Sequence, residues 1–248
     1  MHRDELARYL DQLLDAGRFR DYCPNGLQVE GRERVRTIVT GVSASLELLE
    51  QAVAADADAV LVHHGYFWRG EDGRLTGGRK RRVAFLLAHE LNLYAYHLPL
   101  DAHAALGNNA QLALRLGLHQ EAHAGEQDLV SVGRLVLPCS LEQLTADIGL
   151  ALKRAPLVIG EDNKRIERVA WCTGGAQNYF EDVVRLGVDA YITGEVSEQH
   201  VHHARESGVA FISAGHHATE CFGVQALGAH LASELGLAHR FIEVPNPV

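Results

Sequence analysis

Val60-Leu61-Val62-His63-His64-Gly65 is the stretch on which the reading of this chain turns. Three aliphatic residues in a row, two of them β-branched, describe a strand buried on both faces, as in a parallel sheet. Gly65 stops it. Ligands in open α/β sheets gather at the carboxyl ends of parallel strands, and this end carries two imidazoles. Neighbouring residues on a strand point to opposite faces, so both rings can serve one site only if the backbone turns there, which Gly65 allows. One imidazole for each of two adjacent metal ions is one reading. A pair of hydrogen-bonded histidines capping the strand is the other, and the rest of the chain must decide.

Outward from that stretch the pattern alternates strand and helix. Leu6, Leu10, Leu13 and Leu14 recur at helical spacing ahead of Gly17. Asp21 to Gly26 is a turn cluster and Leu27–Val29 a short strand. Val35–Val39 is a strand ending at Thr40-Gly41, followed by a helix that Ser45 caps and that runs to about Ala55. Tyr66 to Gly78 reads as a glycine-bearing, charged loop. Arg79-Lys80-Arg81-Arg82 opens a helix over 80–90. This basic run is either a solvated helix face or a clamp for the anionic group of a substrate. A strand over Leu91–Tyr96 leads to His97, and a helix covers Asn108 to Leu116. Between about 119 and 133 periodicity fades, which places the domain boundary there, with one domain over 1–124 and a second over 125–248. Strands follow at Gly133–Leu137 and Pro156–Ile159, with a helix over Leu141–Leu152 between them.

The chain then begins again. Ile166 to Gly174 repeats the strand-to-Thr-Gly pattern of Val35 to Gly41, and Val188 to Glu195 parallels Ala57 to Gly65. Leu93–Tyr96 leads to His97-x-x-x-Asp101, while Ala210–Ala214 leads to His216-x-x-x-Glu220. Chance likeness of short Ala/Val-rich segments is the competing explanation, but three features keep their order. The fold class expected is α/β, with two similar α/β domains related by an internal repeat and a metal site between them.

Spacing i, i+4 puts two side chains on one face of a helical turn, so His97/Asp101 and His216/Glu220 are ready two-point ligands. Pro99 is compatible only with the first turn of such a helix. With His63 and His64 this makes six ligands from strand ends, enough for a pair of divalent ions. Mixed nitrogen and oxygen ligation without thiolate suits Zn, Fe, Mn, Co or Ni and does not choose among them. Two ions would lower the pKa of a bound water from 15.7 to about 7 and polarise the bond it attacks, a hydrolase or cyclohydrolase design. Tyr66 and Trp68 are candidates for substrate contact or proton transfer that could equally be packing residues. Glu195, in the position equivalent to His64, is a further catalytic candidate. His217 and the His200/His202/His203 cluster read as surface or supporting residues.

Composition sets limits. The 248 residues carry a net charge of −9, which argues against a nucleic-acid partner, since phosphate backbones need a basic surface. A small phosphorylated substrate stays compatible with it. The four cysteines are widely spaced, which speaks against a disulfide framework or a zinc knuckle. Neither an apolar leader nor a membrane span is read, so no membrane partner and a cytoplasmic location are expected.

Asp21-Tyr22-x-Pro24-Asn25-Gly26-Leu27-Gln28-Val29-Glu30-Gly31, Val62 to Trp68, Tyr96 to His103, Gly107-Asn108-Asn109, Gly194 to Glu198 and Gly215 to Glu220 together resemble the NIF3-like family, also called the GTP cyclohydrolase I type 2 homologue family. The likeness extends to Ile242–Pro247 and is to the short form, without an inserted domain. It implies two similar domains assembled as a toroidal homohexamer, with a dinuclear metal site facing the cavity. By motif His63, His64, Asp101, His216 and Glu220 are the metal ligands, with His97 close by. The family name implies opening of the GTP ring by water, so a dinuclear-metal-dependent hydrolase acting on a nucleotide-like small molecule is expected. The rivals are a metal-delivery protein without turnover and a structural ring.

Overall fold

The computed structural model describes residues 1–248 as two units. The first comprises Met1–Gly107 together with Gly223–Pro245, the second Asn108–Phe222 together with Asn246–Val248. The division therefore falls at 107/108 and not at the expected 124/125. The fading periodicity after 118 is not a linker but an edge strand, mostly exposed and hence polar without alternation.

In the first unit, helix α1 (Arg3–Leu13) precedes strands β1 (Gly26–Val29) and β2 (Thr37–Ser43). Helix α2 (Leu46–Ala54), β3 (Ala59–His64), α3 (Gly77–Ala88), β4 (Asn92–Ala95) and the short α4 (Leu98–Ala102) follow. Ser45 caps α2 by accepting from the Leu48 N–H at 3.1 Å, as its sequence position predicts. The second unit contains α5 (Asn108–Leu116), β5 (Leu118–Ala124), β6 (Val130–Ser140), α6 (Leu141–Leu152), β7 (Leu157–Ile159) and β8 (Arg165–Trp171). It continues through α7 (Phe180–Arg185), β9 (Ala190–Thr193), α8 (Glu198–Ser207) and β10 (Ala210–Ser213). Helix α9 (His216–Leu235) starts in the second unit and returns the chain to the first, where β11 (Ala238–Phe241) ends the secondary structure.

The two sheets share a plan. The first has the order β1-β4-β3-β2-β11, with β2, β3 and β4 parallel and β1 antiparallel at the edge. The second has the order β5-β6-β8-β9-β10-β7, with β8, β9 and β10 parallel and β7 antiparallel at the edge. The repeat read in the sequence is thus a repeat of three parallel strands plus one antiparallel edge. Beyond β2 and β8 the plans diverge: β11 joins β2 in parallel, with Ala238 beside Thr37, whereas β6 joins β8 antiparallel.

Each sheet buries its own core. Val39, Val60, Val62, Leu93 and Ala95 pack with Leu48, Leu49 and Leu86 of α2 and α3 in the first unit. In the second, Val169, Trp171, Ile192 and Ile212 pack with Leu112, Leu144 and Ile148 of α5 and α6. Continuous apolar strands covered by helices are what parallel sheets require. Asn109, 4% exposed, anchors the second unit: its carbonyl accepts from the Trp171 indole, and its side chain bridges Thr173 N–H and Leu129 O, each at 3.0 Å.

Candidate metal centre

In the first unit three imidazoles converge at the carboxyl ends of β3 and β4. The ring centroids of His63 and His64 are 4.5 Å apart, those of His63 and His97 5.0 Å, and those of His64 and His97 5.8 Å. Each can offer a ring nitrogen within 4.8 Å of the other two. Gly65 is required here by space rather than by an unusual φ. A Cβ on it would stand 2.3 Å from Gln28 Oε1 and 2.5 Å from the Ala95 Cβ, and Gln28 Oε1 is the acceptor for the Tyr66 N–H at 2.7 Å.

The histidines are held by one nitrogen. His63, fully buried, donates from Nδ1 to the Tyr96 carbonyl at 3.0 Å, and its Nε2 lies 3.5 Å from Asp101 Oδ1. His97 donates from Nδ1 to Asp21 Oδ1 at 2.7 Å. As expected, Pro99 sits in the first turn of α4, with His97 as its cap and the Asp101 N–H bonded to the His97 carbonyl. Asp21, whose side chain is 3% exposed, is the organising group. Its second oxygen accepts from Leu98 N–H and Asn25 Nδ2, both at 2.9 Å. Burial alone would raise its pKa, but the bonds and charge of His97, with Asn25 and Leu98, outweigh that and hold it at about 2. Cys23, also near His97, is pushed up to about 12 by burial and by the charge of Asp21. With Asp21 and His97 it forms a second group of donor atoms within 4.8 Å of one another.

The second unit carries the matching constellation at the ends of β9 and β10. His216 opens α9, and its Nε2 lies 3.2 Å from Glu220 Oε2 one turn along. Its Nδ1 donates to Glu195 Oε1 at 2.6 Å, and Glu195 Oε2 accepts from Gln177 at 3.2 Å. Burial would lower the pKa of His216, but Glu220 and Glu195 override it and raise it to about 9. The loop after β8 is tied to this helix through Thr219, whose Oγ1 accepts from the Gly174 N–H at 3.0 Å. Gly174 has φ +69°, and a Cβ there would stand 2.0 Å from Glu220 Oε1.

The six residues singled out for metal thus group as His63, His64, His97 and Asp101 in one unit and His216 and Glu220 in the other. Glu195 bonds His216 directly. Tyr66, the other catalytic candidate, is 5% exposed and donates its hydroxyl to the Ala44 carbonyl at 2.7 Å, the geometry of a packing residue. Trp68 donates its indole N–H to Gly65 O, with its ring 4.9 Å from that of His97. His200 is buried and stacked on Phe211, while His202 and His203 sit beside Glu198 and Glu181. In the sequence Asp21 is legible as part of a turn and as the start of one of the motifs that carry the family resemblance, but not as a partner of a histidine. Nothing local marks its reach to His97.

His63, His97 and His216 each fix Nδ1 on a carbonyl or carboxylate and turn Nε2 to another partner, on a duplicated α/β scaffold whose grouped imidazoles and carboxylates could hold a cation. The chain belongs to the Duf34/NIF3 (NGG1p interacting factor 3) family, whose model matches residues 1–247. A Pseudomonas aeruginosa relative named "GTP cyclohydrolase 1 type 2 homolog" is 52% identical over 245 residues, covering 98% of this chain and 97% of its own. Among solved structures, protein ybgI, described as of unknown function, superposes with a TM-score of 0.96 at 49% identity over all of both chains. TTHA1606 from Thermus thermophilus superposes with a TM-score of 0.89 at 37% identity, again over both whole chains. No helix is long and apolar enough to cross a membrane.

Proposed function

We propose that this chain is a metal-dependent hydrolase acting on a nucleotide-like small molecule. In this reading His63, His64, His97 and Asp101 together with His216 and Glu220 hold two divalent ions. The observation that carries it is the common support of His63, His97 and His216, each anchored through Nδ1. Anchoring of that kind fixes the tautomer and the ring orientation, and it accompanies metal-ligating histidines. The donor set fits: imidazole and carboxylate without thiolate suits Zn²⁺, Fe²⁺, Mn²⁺, Co²⁺ or Ni²⁺. When bound, such ions supply Lewis acidity and bring the pKa of water toward neutrality.

The protein's own residues do the positioning. Asp21 keeps the Nδ1 proton on His97, and Glu195 keeps the one on His216, so that Nε2 is the ligating atom of each. The proton that His216 shares with Glu220 is the one a cation must expel, which makes binding pH-dependent. Glu195 is the group through which a proton can be passed along to the exposed edge of the unit, since its other oxygen meets only the Gln177 amide. The names of the relatives suggest GTP as the first substrate to try.

The test is ring opening of GTP by purified protein reloaded with each of the five ions, alongside Glu220→Gln and His64→Ala. Turnover lost in both variants with the fold retained supports the reading. No turnover with any ion retires it in favour of metal delivery or a structural ring. The reading extends to a toroidal homohexamer in the cytoplasm, for which sedimentation equilibrium checks the assembly state.

A further inference from the structure

The basic run at 79–82 divides in two. Lys80 and Arg81 are exposed, whereas Arg79 and Arg82, three residues apart and so on one face of α3, turn inward. They line a cavity of about 260 Å³ in the first unit, with Ser43, Ser45, His64 and Tyr66 on its other walls. We infer that this cavity is the subsite for a phosphate group of the substrate, a phosphate ester held between Arg79 and Arg82 and delivered to the His64 side of the metal centre.

Four observations carry this. The Arg82 Nε is buried and has no hydrogen-bond acceptor, although its guanidinium stacks 5.2 Å over the Tyr66 ring. A buried guanidinium donor is normally satisfied, and a planar fork of such donors matches phosphate oxygens. Arg79, 15% exposed in its side chain, already holds an anion: the Glu71 carboxylate from the exposed loop is seated on it. That carboxylate marks where an oxyanion sits and competes with it. Helix α2, nine residues long, begins at the cavity with its cap Ser45, adding the positive end of its dipole. The cavity also falls just below the ~300–1,000 Å³ of whole small-molecule sites, a size for one charged group rather than for a complete nucleotide.

His64 belongs both to this wall and to the three-imidazole cluster, so a phosphate bound here leaves the rest of the molecule beside the metal ligands. The inference deepens the hydrolase reading and rests on it only for the word substrate. Binding can be measured without turnover.

The full chain is titrated calorimetrically with inorganic phosphate and with guanosine monophosphate, in EDTA and again with Zn²⁺. Both probes are expected to saturate a single site in EDTA. Arg82→Gln and Arg79→Gln each weaken binding by on the order of tenfold, the effect of losing one charge-assisted pair. Arg81→Gln, with the same change in net charge on the outward face, leaves it within about twofold. Glu71→Gln tightens binding several-fold by removing the competitor from Arg79. Should Arg82→Gln fail to fold, Arg79→Gln carries the test alone. Neither probe binding the wild-type chain in EDTA, or both arginine variants binding like wild type, overturns the inference. An arginine-dependent site in a protein that hydrolyses nothing sinks only the hydrolase reading. Turnover with KM unchanged in both arginine variants sinks only the phosphate subsite.

Discussion

Replacing Asp21 by Asn leaves the shape of the side chain but removes one acceptor and the charge. The wild-type carboxylate takes His97 Nδ1–H at 2.7 Å on one oxygen and Leu98 N–H and Asn25 Nδ2 at 2.9 Å on the other. An Asn would turn its amide NH₂ toward one of these sets of donors. The folded pKa of about 2 against the ordinary 3.8 corresponds to on the order of 2 kcal/mol of stabilisation at neutral pH. The folded value is depressed, so this contribution is complete above pH ~4–5 and is lost as pH falls through 3.8 toward 2, with about half gone by pH 3. Asp21→Asn is therefore expected to lower stability by about 2 kcal/mol at pH 7, or roughly 4–8 °C in Tm for a chain of this size. Urea titrations of both proteins at pH 7 and pH 3, read by tryptophan fluorescence, measure the gap and its narrowing. A second readout is metal affinity, expected to drop ~10–100-fold because His97 loses the group that orients it. Equal stability at pH 7, or a gap that does not narrow in acid, refutes the argument that the carboxylate organises this end of the sheet.

Glu195→Gln removes one of the two carboxylates that hold His216 at about 9, so its titration in the metal-free protein moves down in the NMR spectrum. The wild-type pKa is raised on folding, so the proton-linked stability is full below about 6.5. It disappears as pH climbs through 9, while metal affinity rises over the same interval. Gly174→Ala places a methyl against Glu220 Oε1 on a backbone at φ +69°. It should destabilise the second unit by at least about 1 kcal/mol, visible as an earlier denaturation midpoint and weaker metal binding. Tyr66→Phe deletes the bond to the Ala44 carbonyl and should cost about 1 kcal/mol of stability with kcat unaltered. A collapse of kcat would instead restore Tyr66 as a proton donor.

What could be read beforehand follows from how local the signals are. Val60 to Val62 is buried on both sides and needs no context to be recognised. Ser45 before an apolar helix and Pro99 at a helix start are equally local. The ligand pairs four residues apart are legible because a single helical turn places them. By contrast, β11 has an alternating, half-exposed sequence and finds its partner β2 about 200 residues back, a pairing that no window of sequence contains. The edge strand β5 has almost no buried residues to announce it. Asp21 acts on a residue 76 positions away, and its own neighbours describe a turn and open a family motif without marking that partner. The basic run posed a choice between solvent and a substrate's anion; Lys80 and Arg81 face solvent, while Arg79 and Arg82 turn inward, Arg79 onto the Glu71 carboxylate of the chain itself.

The route of the chain has an outcome during synthesis. Strand β2 emerges from the ribosome roughly 10–40 s before β11, at ~5–20 residues per second. Until then one flank of the first sheet has open hydrogen-bonding groups, a template for other extended chains. The intervening unit can complete its own core while the earlier half waits. Premature termination before Ala238 would release a polypeptide carrying that sticky flank, so quality control should meet truncated copies as aggregates rather than as soluble fragments.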